Sequence, residues 1–254
     1  MQFAYLTENG VSSKKIKRMF YKKKLNGIDG LIVEKQEQIF YINNINRGDI
    51  VFDVGANVGE LTLLFSRFAD TSGQVHSFEP TPSTFEKLTT LIKTANKTNV
   101  TLNNLAISDK PGFVNFNIYE EQLSAFNTMA ERPLEDYGIH VARPKTYSIP
   151  SMSIDEYCAE QTIFKIDLLK MDVEGAELNV LYGAEKMFAE KKIRICVFEF
   201  GQTVFDMGNT VKQYKDFFNK YDYQVSNVVK EQNVFPIDPK TGWACFSILV
   251  AKPN

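Results

Sequence analysis

Val51-Phe-Asp-Val-Gly-Ala-Asn-Val-Gly-Glu-Leu-Thr62 runs from a short apolar stretch through a glycine-bearing loop into a helical pattern. Val51, Phe52 and Val54 read as a strand buried on both faces. Gly55 and Gly59 permit a tight turn and close approach of the backbone to a ligand. The helix that follows, from about Glu60 to Phe68, starts with amides that lack an intrahelical acceptor and point toward whatever the loop holds. A strand, a glycine loop and a helix in this order make a seat for a charged small molecule.

A second apolar run, Val75 to Phe78, ends in Glu79-Pro80 about twenty residues after Gly59. An acidic residue at that tip is placed to accept both hydrogens of a ribose diol. Glu79 is therefore the expected ribose ligand, with Pro80 beside it. The dinucleotide fingerprint is not met, because Asn57 stands where a glycine would let a pyrophosphate lie on the backbone. Asp53 argues the same way: a carboxylate at the loop mouth repels a pyrophosphate, but can orient the loop amides or face an ammonium group. These features disfavour NAD and FAD and suit S-adenosylmethionine, bound by Asp53, Gly55, Asn57, Gly59, Glu79 and Pro80.

Outward from this stretch, strand and helix patterns alternate. Ile50 to Val54, Leu61 to Phe68, Val75 to Phe78, Ser83 to Thr94 and Val100 to Ala106 come first. Leu168 to Val173, Ala176 to Tyr182, Ile193 to Phe200 and Val211 to Lys220 follow. Such alternation predicts an α/β, Rossmann-like parallel sheet with right-handed crossovers and helices on both faces. Tyr223 to Val229 and Ala244 to Ala251 close it as a terminal hairpin, and Gly112 to Ile118 is an extra strand. Ser153 caps a helix to Glu160, with Glu156 completing the capping pattern. Residues 1–48 read as a cap, with a helix near Ser12 to Leu25 and a hairpin-like pair, Gly30 to Glu34 and Gln38 to Ile42. Residues 49–254 form the binding domain, interrupted at about 119–150 by a loop-rich insert over the site.

Four stretches together resemble the FkbM-type class I methyltransferases. They are Phe52-Asp-Val-Gly-Ala-Asn-Val-Gly-Glu, Ser77-Phe-Glu-Pro, Asn104-Leu-Ala-Ile-Ser-Asp and Leu169-Lys-Met-Asp-Val-Glu-Gly-Ala-Glu-Leu-Asn-Val-Leu-Tyr-Gly-Ala. The likeness covers roughly residues 45 to 200. It implies a seven-stranded sheet of order 3-2-1-4-5-7-6 with the seventh strand antiparallel, and an adenine site after strand three at Asn104, Ala106 and Ser108. It also implies methyl transfer to oxygen, with S-adenosylhomocysteine as product. The implied acceptor is a sugar hydroxyl of a glycan or glycosylated metabolite. An N-methyltransferase or nucleic-acid methyltransferase keeps the same cofactor half, and an inert S-adenosylmethionine-binding partner module keeps the fold alone.

A sugar hydroxyl does not ionise alone at neutral pH, so its transfer benefits from a general base at the carboxyl ends of strands four and five. Asp172, Glu174 and Glu199 stand there: Asp172 or Glu199 as base or orienting carboxylate, Glu174 in support. Acidic residues at strand ends also cap the following helix, which is the plainer reading of Glu174-Gly175-Ala176-Glu177. His76 falls inside the second strand and reads as packed. In the insert, His140 is a second base candidate, and Phe126, Tyr137, Arg143 and Tyr147 suit a sugar. No His- or Cys-rich spacing marks a metal site, and none is expected. Cys158, Cys196 and Cys245 are three in number and far apart, which reads as reduced thiols, with Cys196 buried in a strand.

The whole chain of 254 residues is 44% hydrophobic and 24% charged, enough for one well-buried α/β core. A net charge of −2 gives no global attraction to nucleic acid, and no nucleic-acid partner is expected. No apolar run approaches the ~20 residues that span a bilayer, and the reading is of a cytoplasmic enzyme. The basic residues at 14–24 (Lys14, Lys15, Lys17, Arg18, Lys22, Lys23 and Lys24), with Ile16, Met19 and Phe20 at helical spacing, suit either a packed solvated helix or weak contact with an anionic membrane.

Overall fold

β1 (Ile50–Val54) is the centre of the sheet, pairing in parallel with β2 (Gln74–Phe78) on one side and β7 (Leu168–Met171) on the other. The computed structural model describes residues 30–119, 127–134, 142–239 and 242–254. Beyond β2 lies β3 (Val100–Asn103). Beyond β7 lie β8 (Cys196–Phe200), then β10 (Ser247–Pro253), then β9 (Tyr223–Asn227). Counted along this sheet alone, the order is 3-2-1-4-5-7-6, and β10 runs antiparallel to both neighbours. β4 (Ala106–Ile107), β5 (Gly112–Ile118) and β6 (Lys145–Met152) form a separate small sheet.

Alternate residues of the central strands feed two cores. Phe52, Val54, Phe78, Leu169, Met171, Phe198 and Leu249 face one side. There they meet α4 (Ile154–Glu160), α5 (Glu177–Tyr182), α6 (Glu185–Ala189), α7 (Gln202–Asp206) and α8 (Val211–Lys220). Val51, Val75, Leu168, Val197 and Val250 face the other. They pack on α1 (Gly30–Asn44) and α2 (Glu60–Ala69) through Val33, Tyr41, Ile45, Phe65 and Ala69. α3 (Pro82–Thr94) buries Leu88 and Ile92 in a smaller cluster with Ala56. Fully buried strands in parallel register explain why β1 and β7 read as nearly unbroken apolar runs. Among the described residues, no helix is long and apolar enough to cross a membrane.

Two expectations are corrected. Residues 30–44 are one helix, not a hairpin-like pair. Val33, Tyr41 and Ile45 are buried at spacings of one to two helical turns. No glycine, proline or aspartate interrupts Leu31 to Tyr41, and Glu, Lys and Gln, good helix formers, fill the middle. The loop-rich insert is shorter than expected, because Lys145 to Met152 is a strand paired along its length with β5. The expected helix at 12–25 and its basic residues lie outside the described residues, as do Phe126, Tyr137 and His140. The Ser153 cap is present: its hydroxyl accepts from the Glu156 amide and donates to the Glu156 carboxylate at 2.8 Å.

Candidate active site

On the face covered by α1 and α2, the apolar alternation turns polar at the carboxyl ends of the strands. Ser77, Asp53 and Lys170 lie side by side in register on β2, β1 and β7. All three are buried. The Lys170 ammonium sits 3.0 Å from Asp53 Oδ1 and donates to the Gly55 carbonyl at 2.8 Å and, more weakly, to Val54 at 3.4 Å. Thr62 donates its hydroxyl to Asp53 Oδ2 at 2.6 Å. Burial alone would favour loss of the lysine proton, but the carboxylates of Asp53, Asp172 and Glu37 outweigh it and hold the ammonium charged. The ammonium that Asp53 faces is thus the chain's own.

The two loop glycines are required by the chain itself. A Cβ on Gly55, at φ +76°, would lie 1.9 Å from the Asp172 carbonyl oxygen. A Cβ on Gly59, at φ +95°, would meet Leu88 Cδ1 at 2.5 Å. The close approaches expected to a ligand are therefore made to the end of β7 and to α3. Asn57 also takes a left-handed conformation at φ +50°, which turns its amide onto Glu79 Oε2 at 3.0 Å. The Thr81 amide donates to Glu79 Oε1 at 2.8 Å. Burial raises the Glu79 carboxyl above its ordinary range, against the pull of these amides and of Lys170. The Thr81 side chain bonds the same carboxylate, so Glu79 is fixed by three donors and keeps one acceptor site.

Asn104 donates its side-chain amide to the carbonyls of Glu79 and Pro80, at 2.8 and 3.2 Å, and so braces that tip. Ala106 follows β3 by three residues. The chain leaves β3 at Asn103 and enters β4, where Ala106 is buried with Phe116 and Ile149. Asn103 and Asn104, not Ala106, represent the tip of β3.

Beyond β7 and β8, Asp172 and Glu199 share a side-chain hydrogen bond. Two carboxyl groups can do so only with one proton between them. Burial, then the charges of Asp172, Glu174 and Glu177, hold Glu199 well above the carboxylate range. Burial pushes Glu174 up to about 8 despite its contact with Arg132 at 3.3 Å. Glu177, buried in the first turn of α5, accepts from the amides of Val173 and Gly175 and is pushed by burial up to about 7. The capping reading thus describes Glu177, while Asp172, Glu174 and Glu199 remain gathered at the strand ends.

Residues 127–134 form a strap across this end. Asn127 donates to the Thr81 hydroxyl at 3.3 Å after β2, and Thr128 donates to the Glu174 carbonyl at 2.7 Å after β7. The strap therefore runs past the end of β1, which lies between them. The Arg132 side chain is buried between Glu174 and Asp206, the latter at 3.6 Å. Of the residues expected to meet a sugar, Arg143 is exposed and Tyr147 lies on β6 opposite Phe116. His76 is packed on Phe52 and Tyr157, its Nδ1 2.8 Å from the tyrosine hydroxyl, and burial lowers it to about 4. The three cysteines are free thiols and buried. Among the described residues, no group of three His, Cys, Asp or Glu side chains is placed to hold a metal ion.

Glu37 on α1 was not anticipated. Tyr41 donates to its carboxylate at 2.7 Å, one turn along the helix, and the nearby charges it feels are those of Asp172 and Lys170. Burial pushes it up to about 7. Lys170 was also passed over, although a lone lysine in Leu168-Leu-Lys-Met, opposite a lone aspartate in the neighbouring apolar strand, is the signal that finds it.

A sheet of this order, with its glycine loop after β1 and acidic tip after β2, is the class I methyltransferase fold. The family model for the methyltransferase FkbM domain matches residues 53–225, and the chain belongs to this family. It is 31% identical over 136 residues to the hexuronic acid methyltransferase AglP of Haloferax volcanii, covering 53% of this chain and 49% of that one. It is 32% identical over 158 residues to the 31-O-demethyl-FK506 methyltransferase FkbM of Streptomyces tacrolimicus, covering 54% and 60%. The chain thus spans about half to three-fifths of the length of these curated relatives. The solved structure of methyltransferase FkbM from Methylobacillus flagellatus aligns over 84% of this chain and 50% of that one, at 15% identity and a TM-score of 0.49.

Proposed function

We propose that this chain is an S-adenosylmethionine-dependent O-methyltransferase that acts on a sugar hydroxyl of a glycan or glycosylated metabolite. The observation that carries the cofactor reading is Glu79: a buried carboxylate at the β2 tip, fixed by the amides of Asn57 and Thr81 and the Thr81 side chain, with an acceptor site left for a ribose hydroxyl. The Asn57 side chain fills the space a pyrophosphate would need, and the first amides of α2, which have no carbonyl one turn back, add positive potential at the loop. Bound S-adenosylmethionine supplies an activated methyl group on a sulfonium cation. In this reading Asp53, Gly55, Asn57, Gly59, Glu79 and Pro80 hold the cofactor half, with Asn104 bracing the Glu79 tip.

The acceptor half is assigned to the ends of β7 and β8. In this reading Asp172 is the base that receives the acceptor hydroxyl's proton, with Glu199, raised by burial, as its hydrogen-bond partner. Glu174, tied to Arg132, fixes the loop from behind. Oxygen as the methyl acceptor is supported by relatives named as O-methylating enzymes, and a sugar by the one named for hexuronic acid. The test is transfer of labelled methyl from S-adenosylmethionine to uronic-acid and neutral glycosides. Asp172→Asn should slow transfer by about 100-fold or more, in line with loss of a general base, with S-adenosylhomocysteine binding kept. Transfer at an undiminished rate in both Asp172→Asn and Glu199→Gln would refute the base assignment.

A further inference from the structure

Two peptide planes of the glycine loop are pinned at both ends. In the Val54–Gly55 peptide, the carbonyl accepts from the Asp172 amide at 3.1 Å, while the Gly55 amide donates to Phe78 at 3.0 Å. In the Gly55–Ala56 peptide, the Ala56 amide also donates to Phe78 at 3.0 Å, and the carbonyl accepts from Lys170 at 2.8 Å. The last of these bonds is the only one of the four made by a side chain. The next amide in the chain is that of Asn57, which holds Glu79. A buried cation on β7 is thereby linked through the two peptides flanking Ala56 to the carboxylate at the tip of β2.

Resting on the cofactor reading above, we propose that Lys170 is a positioning residue for cofactor binding: its ammonium fixes the Gly55 carbonyl and so aims the Asn57 amide and the Glu79 carboxylate. Serving as counter-charge to Asp53 is the lesser part of its role. Three acceptors surround the ammonium, and two of them are loop carbonyls. A lysine needed only to neutralise Asp53 has no reason to spend its hydrogens on the loop. The lysine charge also favours the ionised form of Glu79. The other groups on the Glu79 carboxylate, the amides of Asn57 and Thr81 and the Thr81 side chain, are neutral.

The test uses Asp53→Asn, Lys170→Met and the double variant, which removes both charges and leaves no buried ion unpaired. Calorimetric titration with S-adenosylhomocysteine is run from pH 6 to pH 8, alongside thermal unfolding. The double variant should unfold within a few degrees of wild type, yet bind at least tenfold more weakly. Its binding should weaken further toward pH 6 as Glu79 gains a proton, while wild-type binding stays flat. Asp53→Asn alone is the reference: the double variant should bind at least fivefold more weakly than it, and equal affinity in the two would overturn the proposal. Wild-type affinity and a flat pH profile in the double variant would overturn the proposal and leave Lys170 a counter-charge. Lys170→Gln on the Asp53→Asn background, which keeps an N–H donor without the charge, is the second variant if the first does not fold; recovery of affinity toward that of Asp53→Asn supports the proposal, and a tenfold loss against Asp53→Asn overturns it. Failure of the wild type itself to bind would reject the cofactor reading, and this inference with it.

Discussion

Gly55 has the least freedom of any residue in the site. Its φ of +76° and the Asp172 carbonyl 1.9 Å from its missing Cβ mean that a methyl group there displaces the end of β7. Gly55→Ala should cost at least about 3 kcal/mol, combining left-handed strain with a backbone clash. Urea unfolding measures it, and a cost under about 1 kcal/mol would show that β1 and β7 are less closely apposed than described. Asp53, Gly55, Asn57, Gly59 and Glu79 were legible in the sequence because a strand, a loop and a tip at fixed spacing constrain them. Their partners were not. Lys170, Glu37 and Arg132 reach the site through register, helix rotation and a strap, none of which a linear pattern encodes. The strand expected at Val100 to Ala106 ends at Asn103 for the same reason: the chain leaves the sheet there, and only tertiary pairing with β6 shows it.

At the scale of elements, α1 packs on the sheet's core through Tyr41, whose ring is fully buried and 4.9 Å from Phe65. Tyr41→Ala should destabilise the protein by about 3 to 5 kcal/mol, as truncation of a large buried aromatic does, measured by denaturant unfolding. Little change would mean that α1 does not belong to the core. Ser153→Ala should cost about 0.5 to 2 kcal/mol through loss of the α4 cap. That cap was readable because Ser153 and Glu156 are local. The α1 error was local too: a short apolar run suits strand or helix, and the absence of a turn residue between Leu31 and Tyr41 was the deciding signal. β4 to β6 form a sheet whose central strand, β6, comes well after both edges in sequence, so it was absorbed largely into the expected loop.

Across the whole molecule, acidic groups are gathered at one end of a chain whose net charge is only −2. Glu37 and Glu177 are pushed up to about 7 and Glu174 to about 8, from an ordinary value of 4.5. A carboxyl raised in the folded state binds its proton more tightly folded than unfolded. It therefore contributes stability that is full below about pH 4.5 and is lost as pH rises through 7 to 8. The urea midpoint should fall between pH 5 and pH 8, and Glu177→Gln should flatten that slope by about 1 to 3 kcal/mol. A midpoint that rises over this range would contradict the burial of these groups.

The central claim is that this end of the sheet binds an adenosyl cofactor through Glu79. Titration calorimetry with S-adenosylmethionine and S-adenosylhomocysteine, with NAD as control and Glu79→Ala as the variant, tests it most directly. The account predicts micromolar binding of the adenosyl ligands, roughly −8 kcal/mol, no binding of NAD, and at least a tenfold loss in the variant. A folded wild-type protein that binds neither adenosyl ligand, or a Glu79→Ala variant that binds them as tightly as wild type, would contradict it.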